Sequence, residues 1–316
     1  MTHRTDWFHA ARWGVFTHYL AAPASSEGHA LGAEAWNAQV EAFDVVGLAD
    51  QLSDIGTPFY WITLGQNSGH YCAPNATYDR LVGITPSKCA RRDLISDLYA
   101  ELAPRGIALL VYLPSGAPAA DAVARERLAW QWGFADPWPQ GWRNPTGERL
   151  AAFQLKWEAV IREWSLRWGE RVRGWWFDGC YFADAMYRHP EPPNFASFAA
   201  AARAGNPESL IAFNPGVMLT SLTPEEDITA GEITDPLTVA CPGRWLDGAQ
   251  THMLSYLGPS WGQEPPRFTT AEVIACTKQF TDRGGVVSWD VPITPAGLIP
   301  PAFVAQLKGL GKAMRG

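Results

Sequence analysis

The chain has 316 residues, a formal net charge of −7 and 47% hydrophobic residues. That apolar content supplies a large core and excludes an intrinsically disordered chain, and the acidic balance without a long basic run argues against nucleic acid as a partner. No stretch reaches membrane-spanning length and Met1–Trp7 carries no apolar signal core. The expectation is no membrane partner and a cytoplasmic protein as it stands, periplasmic or secreted if a leader was removed.

Gly14–Leu20 reads as a first strand, followed by a loop rich in Pro, Ser, Gly and His. Phe43–Ile55 carries apolar residues at helical spacing and stops at Gly56, and Phe59–Leu64 is a second strand running into Gly65–Tyr71. Asp93–Arg105 is an amphipathic helix closed by Gly106, and Ile107–Leu113 is a third strand with Pro114 behind it. An aromatic connection (Trp130, Trp132, Trp138, Trp142) leads to a long helix from about Glu148 to Trp168. That helix delivers the chain to Val172–Asp178, a buried strand of aromatic and small residues ending in one carboxylate followed by Gly179. Beyond it come a helix Phe195–Ala204, strands Leu210–Asn214 and Ile228–Ile233, and a less regular segment His252–Leu257. A helix Thr270–Asp282, a strand Val286–Val291 and a helix Pro301–Met314 end the chain.

Strands alternating with helices at this spacing indicate βα units and a parallel sheet, and seven or eight of them fit one closed barrel. The expected fold is a single (β/α)8 TIM-type barrel over residues 1–316. Its rival, a doubly wound open sheet, lacks a Gly-x-Gly-x-x-Gly after the first strand. In a barrel the strand-end polar residues share one rim, where such folds place their chemistry. Those residues are His18, Gln66, Asn67, Tyr112, Asp178, Asn214, Glu232 and Asp290.

Glycoside hydrolysis needs two carboxyl groups in different electrostatic environments, and Asp178 with Glu232, Asp227 or Asp290 could supply them. The sequence leaves those three open by position alone. Metal chemistry is disfavoured, since His18 and His70 lack His-x-His or His-Glu-x-x-His spacing. Ser68 and Ser115 form no Gly-x-Ser-x-Gly elbow, and the five scattered cysteines give neither a disulfide framework nor a zinc site. No cofactor is expected. The 16 tryptophans are either core filler or the lining of a carbohydrate cleft, because flat apolar sugar faces stack on indole rings. Trp175 and Trp176 alternate across their strand, so one fills the barrel and the other packs under a helix. The acidic run Glu225–Asp227 reads as a solvated turn, whereas Glu232 lies in an otherwise uncharged stretch where burial raises a carboxyl pKa.

An ordered set of motifs then carries a resemblance. Ala11-Arg12-Trp13-Gly14-Val15-Phe16-Thr17-His18-Tyr19, Glu34-Ala35-Trp36, Phe43-Asp44, Arg92-Asp93-Leu94, Trp176-Phe177-Asp178-Gly179, Asp227–Glu232, Ser260-Trp261-Gly262 and Gly284-Gly285-Val286 occur in order along nearly the whole chain. Together they resemble the α-L-fucosidases of glycoside hydrolase family 29. The resemblance implies a retaining exo-α-glycosidase acting on an oligosaccharide or glycoside, with Asp178 as nucleophile and Glu232 as acid/base. It further implies that His18, Glu34, Trp36, His70, Tyr112, Trp176, Asn214, Trp261 and Asp290 contact substrate, with Gln66 and Asn67. The family usually has a Lys-His-His-Asp-Gly-Phe loop where this chain reads Gly65-Gln66-Asn67-Ser68-Gly69-His70. The last strand also has Asp290 where the family is mostly aliphatic with an Asn, and there is no room for the β-sandwich that often follows the barrel. Amides in place of imidazoles keep open a different sugar, and a catalytically silent sugar-binding barrel is the rival from outside the enzyme class.

Overall fold

The computed structural model describes residues 3–22, 30–116, 118–130, 149–181 and 183–315. Its strands are β1 (Trp13–Thr17), β2 (Phe59–Thr63), β3 (Ala108–Pro114), β4 (Gly174–Asp178), β5 (Leu210–Phe213), β6 (Trp245–Leu246), β7 (Ala249–Gln250), β8 (His252–Tyr256) and β9 (Val286–Val291). Seven of them form one parallel sheet in the order β5-β4-β3-β2-β1-β9-β8, while β6 and β7 make a small antiparallel hairpin.

Residues 227–233 fill the interval between the two edges of that sheet. Asp227 N donates to Ile211 O on β5 at 3.0 Å, and Leu254 N on β8 donates to Gly231 O at 2.8 Å. Parallel bridges join Ile228 to Gln250 and Glu232 to Leu254. The segment thus closes the sheet as an eighth, irregular stave, in place of the regular strand the sequence suggests. The irregularity has a local cause. Gly231 adopts φ +61°, and a Cβ there would lie 1.9 Å from the His252 carbonyl oxygen, so only glycine permits this approach. The segment His252–Leu257, uncertain from its pattern, is the regular strand β8.

Alternation along each stave sorts side chains to two cores. Phe16, Trp61, Leu110, Tyr112, Trp176, Ala230 and Leu254 pack together inside the barrel, with Phe8 joining them from the helix Asp6–Ala11. Val15, Ile62, Val111, Trp175, Phe177 and Trp289 face outward into the layer beneath the helices. The main covering helices, Val45–Ile55, Leu94–Leu102, Ala151–Trp168, Phe195–Ala202, Thr270–Thr281 and Pro301–Arg315, match the periodic segments of the sequence. Their starts are set by side chains: Asp44 caps at Gly47 N, and Thr269 with Glu272 forms a capping box. Short helices at Ala33–Glu41, Ala76–Val82 and Ala122–Leu128 have too few turns to give a clear period. The expected onset of the long helix at Glu148, and Trp132, Trp138 and Trp142, lie outside the described residues. Among the described residues no helix is long and apolar enough to cross a membrane.

Candidate active site

The C-terminal ends of the staves bring His18, Gln66, Tyr112, Trp176, Asp178, Glu232, Leu254 and Trp261 around one cavity of about 70 Å³. A larger groove of about 380 Å³ lies elsewhere, against Tyr187, Asn194, Phe195 and Glu225. Chemistry rather than size selects between them: the smaller cavity holds two carboxyl groups in contact with one amide.

Asp178 is the last residue of β4, and Gly179 after it takes φ +77°, turning the chain away from the rim. The carboxylate accepts from Gly179 N and Asn214 Nδ2, both at 2.8 Å on Oδ1, and from Tyr112 Oη at 2.6 Å on Oδ2. Asn214 follows β5, and its own Oδ1 accepts from Gly216 N at 3.1 Å, which fixes how the amide is turned. The same Asn214 Nδ2 donates to Glu232 Oε2 at 2.5 Å. The two accepting carboxyl oxygens are therefore no further apart than the sum of those distances, 5.3 Å. Burial, and then the charge of Asp178, push the Glu232 carboxyl up to about 7. One member of the pair thus carries a proton near neutral pH.

The walls are aromatic and polar in alternation. Trp176 stacks on Tyr112 with ring centres 5.4 Å apart and donates Nε1 to Ala230 O at 3.1 Å. Asp290, fully buried at the end of β9, contacts His18 Nδ1 at 2.8 Å and accepts from Gly262 N at 2.7 Å. It therefore ties the histidine of the first stave to the loop that carries Trp261, whose ring stands 5.6 Å from that of His18. Burial raises the Asp290 carboxyl, opposed by His18 and by the Gly262 amide.

Other residues that the sequence points to sit elsewhere. Glu34 is on the surface of its helix, ion-paired with Arg91 at 3.0 Å and about two-thirds exposed. Trp36 is fully buried beneath the rim and donates Nε1 to Tyr71 O at 3.0 Å. Asn67 is exposed and does not line the cavity. His70 is buried against Trp36 and beside Ser68, where burial lowers it to about 4. Asp227 pairs with Arg4 and Arg203. The Glu225–Asp227 run is no solvated turn: Glu226 and Asp227 are both buried. Among the described tryptophans ten are buried, so the surplus is chiefly core, and only Trp176 and Trp261 of those described reach the cavity.

The sequence reading names neither Leu254, which lines the cavity, nor Tyr181 and Tyr256, which stand beside Asp178 and Trp261. The charge of Asp178, and then burial, raise the Tyr181 phenol, and Tyr256 packs edge-on against Trp261 at 4.8 Å. Tyr256 ends β8, so the rim rule finds it once that strand is recognised. Among the described residues no group of three or more His, Cys, Asp or Glu side chains is placed to hold a metal ion.

No protein-family model and no curated protein matches the chain. Solved structures do. An endo-fucoidan hydrolase of glycoside hydrolase family 107, MfFcnA4, superposes with a TM-score of 0.73 at 17% identity, over 99% of this chain and 53% of that one. The chain thus spans about half the length of that protein. An α-L-fucosidase of family 29 from Bacteroides thetaiotaomicron gives 0.67 at 17% identity, over 100% and 74% of the two chains. A fucosyltransferase mutant of the α-L-fucosidase AlfC gives 0.68 at 16% identity over 98% and 97%. At such identities the likeness establishes a shared (β/α)8 architecture, and the chemistry has to be argued from the site.

Proposed function

We propose that this barrel is a retaining glycoside hydrolase that removes a terminal α-linked fucose-like sugar. The observation that carries the reading is the carboxyl pair on one amide. Retaining enzymes hold their two carboxyls about 5–5.5 Å apart and inverting ones about 6.5–9.5 Å apart. The 5.3 Å bound between the oxygens on Asn214 falls on the retaining side. The small size of the cavity favours a single terminal sugar. The solved structures of similar fold include fucosidases and fucoidan hydrolases, which favours a fucose-like glycone.

On this reading an Asp178 oxygen attacks the anomeric carbon while Glu232 gives its proton to the departing glycosidic oxygen, so the C–O bond breaks as the ester forms. Hydrogen bonds from Tyr112, Gly179 and Asn214 hold Asp178 for this attack, and the Asp178 charge helps keep the Glu232 proton in place beforehand. Glu232, then ionised, takes a proton from water, whose oxygen displaces Asp178 from the anomeric carbon. Two inversions give net retention. Gln66 at the cavity, where the resembling family has imidazole, supports the second reading, the same chemistry on another sugar.

Aryl α- and β-glycosides of fucose, galactose, rhamnose and arabinose, tried with wild type and Asp178→Ala, test the proposal. Retention is expected in the first-formed sugar by proton NMR. Turnover that persists in Asp178→Ala, or an inverted first product, sinks it.

A further inference from the structure

Within the cavity one chain of hydrogen bonds can run in only one direction. Gln66 Nε2 lies 2.7 Å from Tyr112 Oη, and Tyr112 Oη lies 2.6 Å from Asp178 Oδ2. An ionised carboxylate only accepts, so the phenol proton is committed to Asp178. Tyr112 then has no proton left for Gln66 and must accept from it, which only the amide nitrogen can satisfy. Burial, and then the charge of Asp178, hold the Tyr112 phenol well above its ordinary range, so it stays a donor.

We infer that Gln66 is a positioning residue that orients the nucleophile through Tyr112, a role that rests on the proposed part of Asp178. The stack on Trp176 fixes the Tyr112 ring but leaves its hydroxyl able to rotate. The amide N–H of Gln66 occupies the hydroxyl's acceptor side and keeps its proton aimed at Asp178. Two consequences follow for substrate. The Tyr112 proton is not offered to a sugar hydroxyl, and Gln66 is left with its carbonyl Oε1 and one amide N–H to meet one. A glycone hydroxyl at this wall therefore meets an acceptor and a donor of one amide, in place of the ring nitrogens of an imidazole.

The test uses Gln66→Glu, which keeps the shape but can donate only when protonated. The titratable groups facing position 66 are Tyr112 from β3, His18 just after β1, Asp178 from β4 and Glu232 from the eighth stave, with His70, Lys88 and Asp121 at its own loop. Two carboxylates would by themselves oppose ionisation of a new one, so Q66E is compared in the Tyr112 and Y112F backgrounds. Melting temperature and kcat/KM on the best aryl glycoside are followed from about pH 5 to about pH 8. The neighbouring carboxyls and the Tyr112 oxygen, which needs a donor, both favour the protonated form of the new carboxyl. Its contribution is therefore present at low pH and lost as pH rises.

Compared with wild type at each pH, Q66E is expected to lie closest to it near pH 5 and to fall about a further tenfold or more below it in kcat/KM by pH 8, with the melting-temperature difference growing in parallel. In the Y112F background that dependence should shrink to a small remainder. An equal pH-dependent loss in both backgrounds, or a ratio of Q66E to its parent that does not change with pH, overturns the relay. If wild type turns over no glycoside, the glycosidase reading fails while the melting-temperature cycle still decides the relay. If wild type is active and the substitutions are additive, only the relay fails.

Discussion

Two pairs of carboxyl groups lie within one short stretch of fold and have opposite fates. Glu226 and Asp227 open the irregular eighth stave, and Glu232 stands near its other end, facing Asp178. Burial pushes Glu226 and Glu232 alike up to about 7. What differs is how their oxygens are used. Glu226 accepts from Phe213 N at 2.8 Å, from Ser221 Oγ at 2.8 Å, and from the amides of Leu222 and Thr223. Asp227 accepts from Ile211 N at 2.9 Å and pairs with Arg4 and Arg203. These two carboxyls satisfy the edge amides of β5, which a regular neighbouring strand would satisfy with carbonyls. Asp178 and Glu232 share one amide and face a cavity. A perturbed pKa therefore does not pick out the chemical pair; an opening beside a second carboxyl does.

The largest effect that separates the pairs is expected at Asp178. Asp178→Ala should lower kcat/KM on the best aryl glycoside by about 10³-fold or more, with little change in melting temperature. Unfolding in place of inactivity would class Asp178 with Asp227 as structural.

Glu232→Gln comes next, at about 10²- to 10⁴-fold on substrates with poor leaving groups and much less on activated ones, with azide restoring rate. The wild-type rate should decline as pH rises through about 7, where Glu232 loses its proton, and the variant should lack that limb. Stability moves the same way with pH. A carboxyl with a raised folded pKa stabilises below its unfolded pKa, and that contribution is lost as pH rises through about 7. The variant should thus melt higher than wild type at pH 8, and a lower melting point would break the comparison.

Asp227→Ala should invert this behaviour. It strands Arg4, Arg203 and the Ile211 amide, costing about 3 kcal/mol or more by chemical denaturation while the folded fraction keeps its kcat. A selective loss of kcat would instead place Asp227 in the reaction. The smallest effect is expected at the wall: Trp261→Ala should raise KM about three- to tenfold, leaving kcat nearly unchanged. An unchanged KM would mean that the indole only anchors its loop to Tyr256 and His18.

The chain itself carries the βα alternation, since apolar period and capping residues such as Asp44, Asp93 and Thr269 act over a few neighbours. It also carries the strand-end positions of His18, Gln66, Tyr112 and Asp178, because alternation and rim geometry follow once strands are known. Position left Glu232 open beside Asp227 and Asp290, and motif order favours Glu232 and adds Trp261. Closure of the barrel is not local. Residues 227–233 become a stave only because Gly231 fits against the His252 carbonyl and two side-chain carboxyls stand in for a partner backbone. Nor does sequence spacing reveal that Glu34 points to Arg91, that Trp36 lies under the rim, or that Asp290 grips His18 across 272 positions of chain. Short-range patterns arise from backbone geometry that every segment shares, whereas which polar atoms meet is decided by contacts between distant segments that exist only after the barrel has closed.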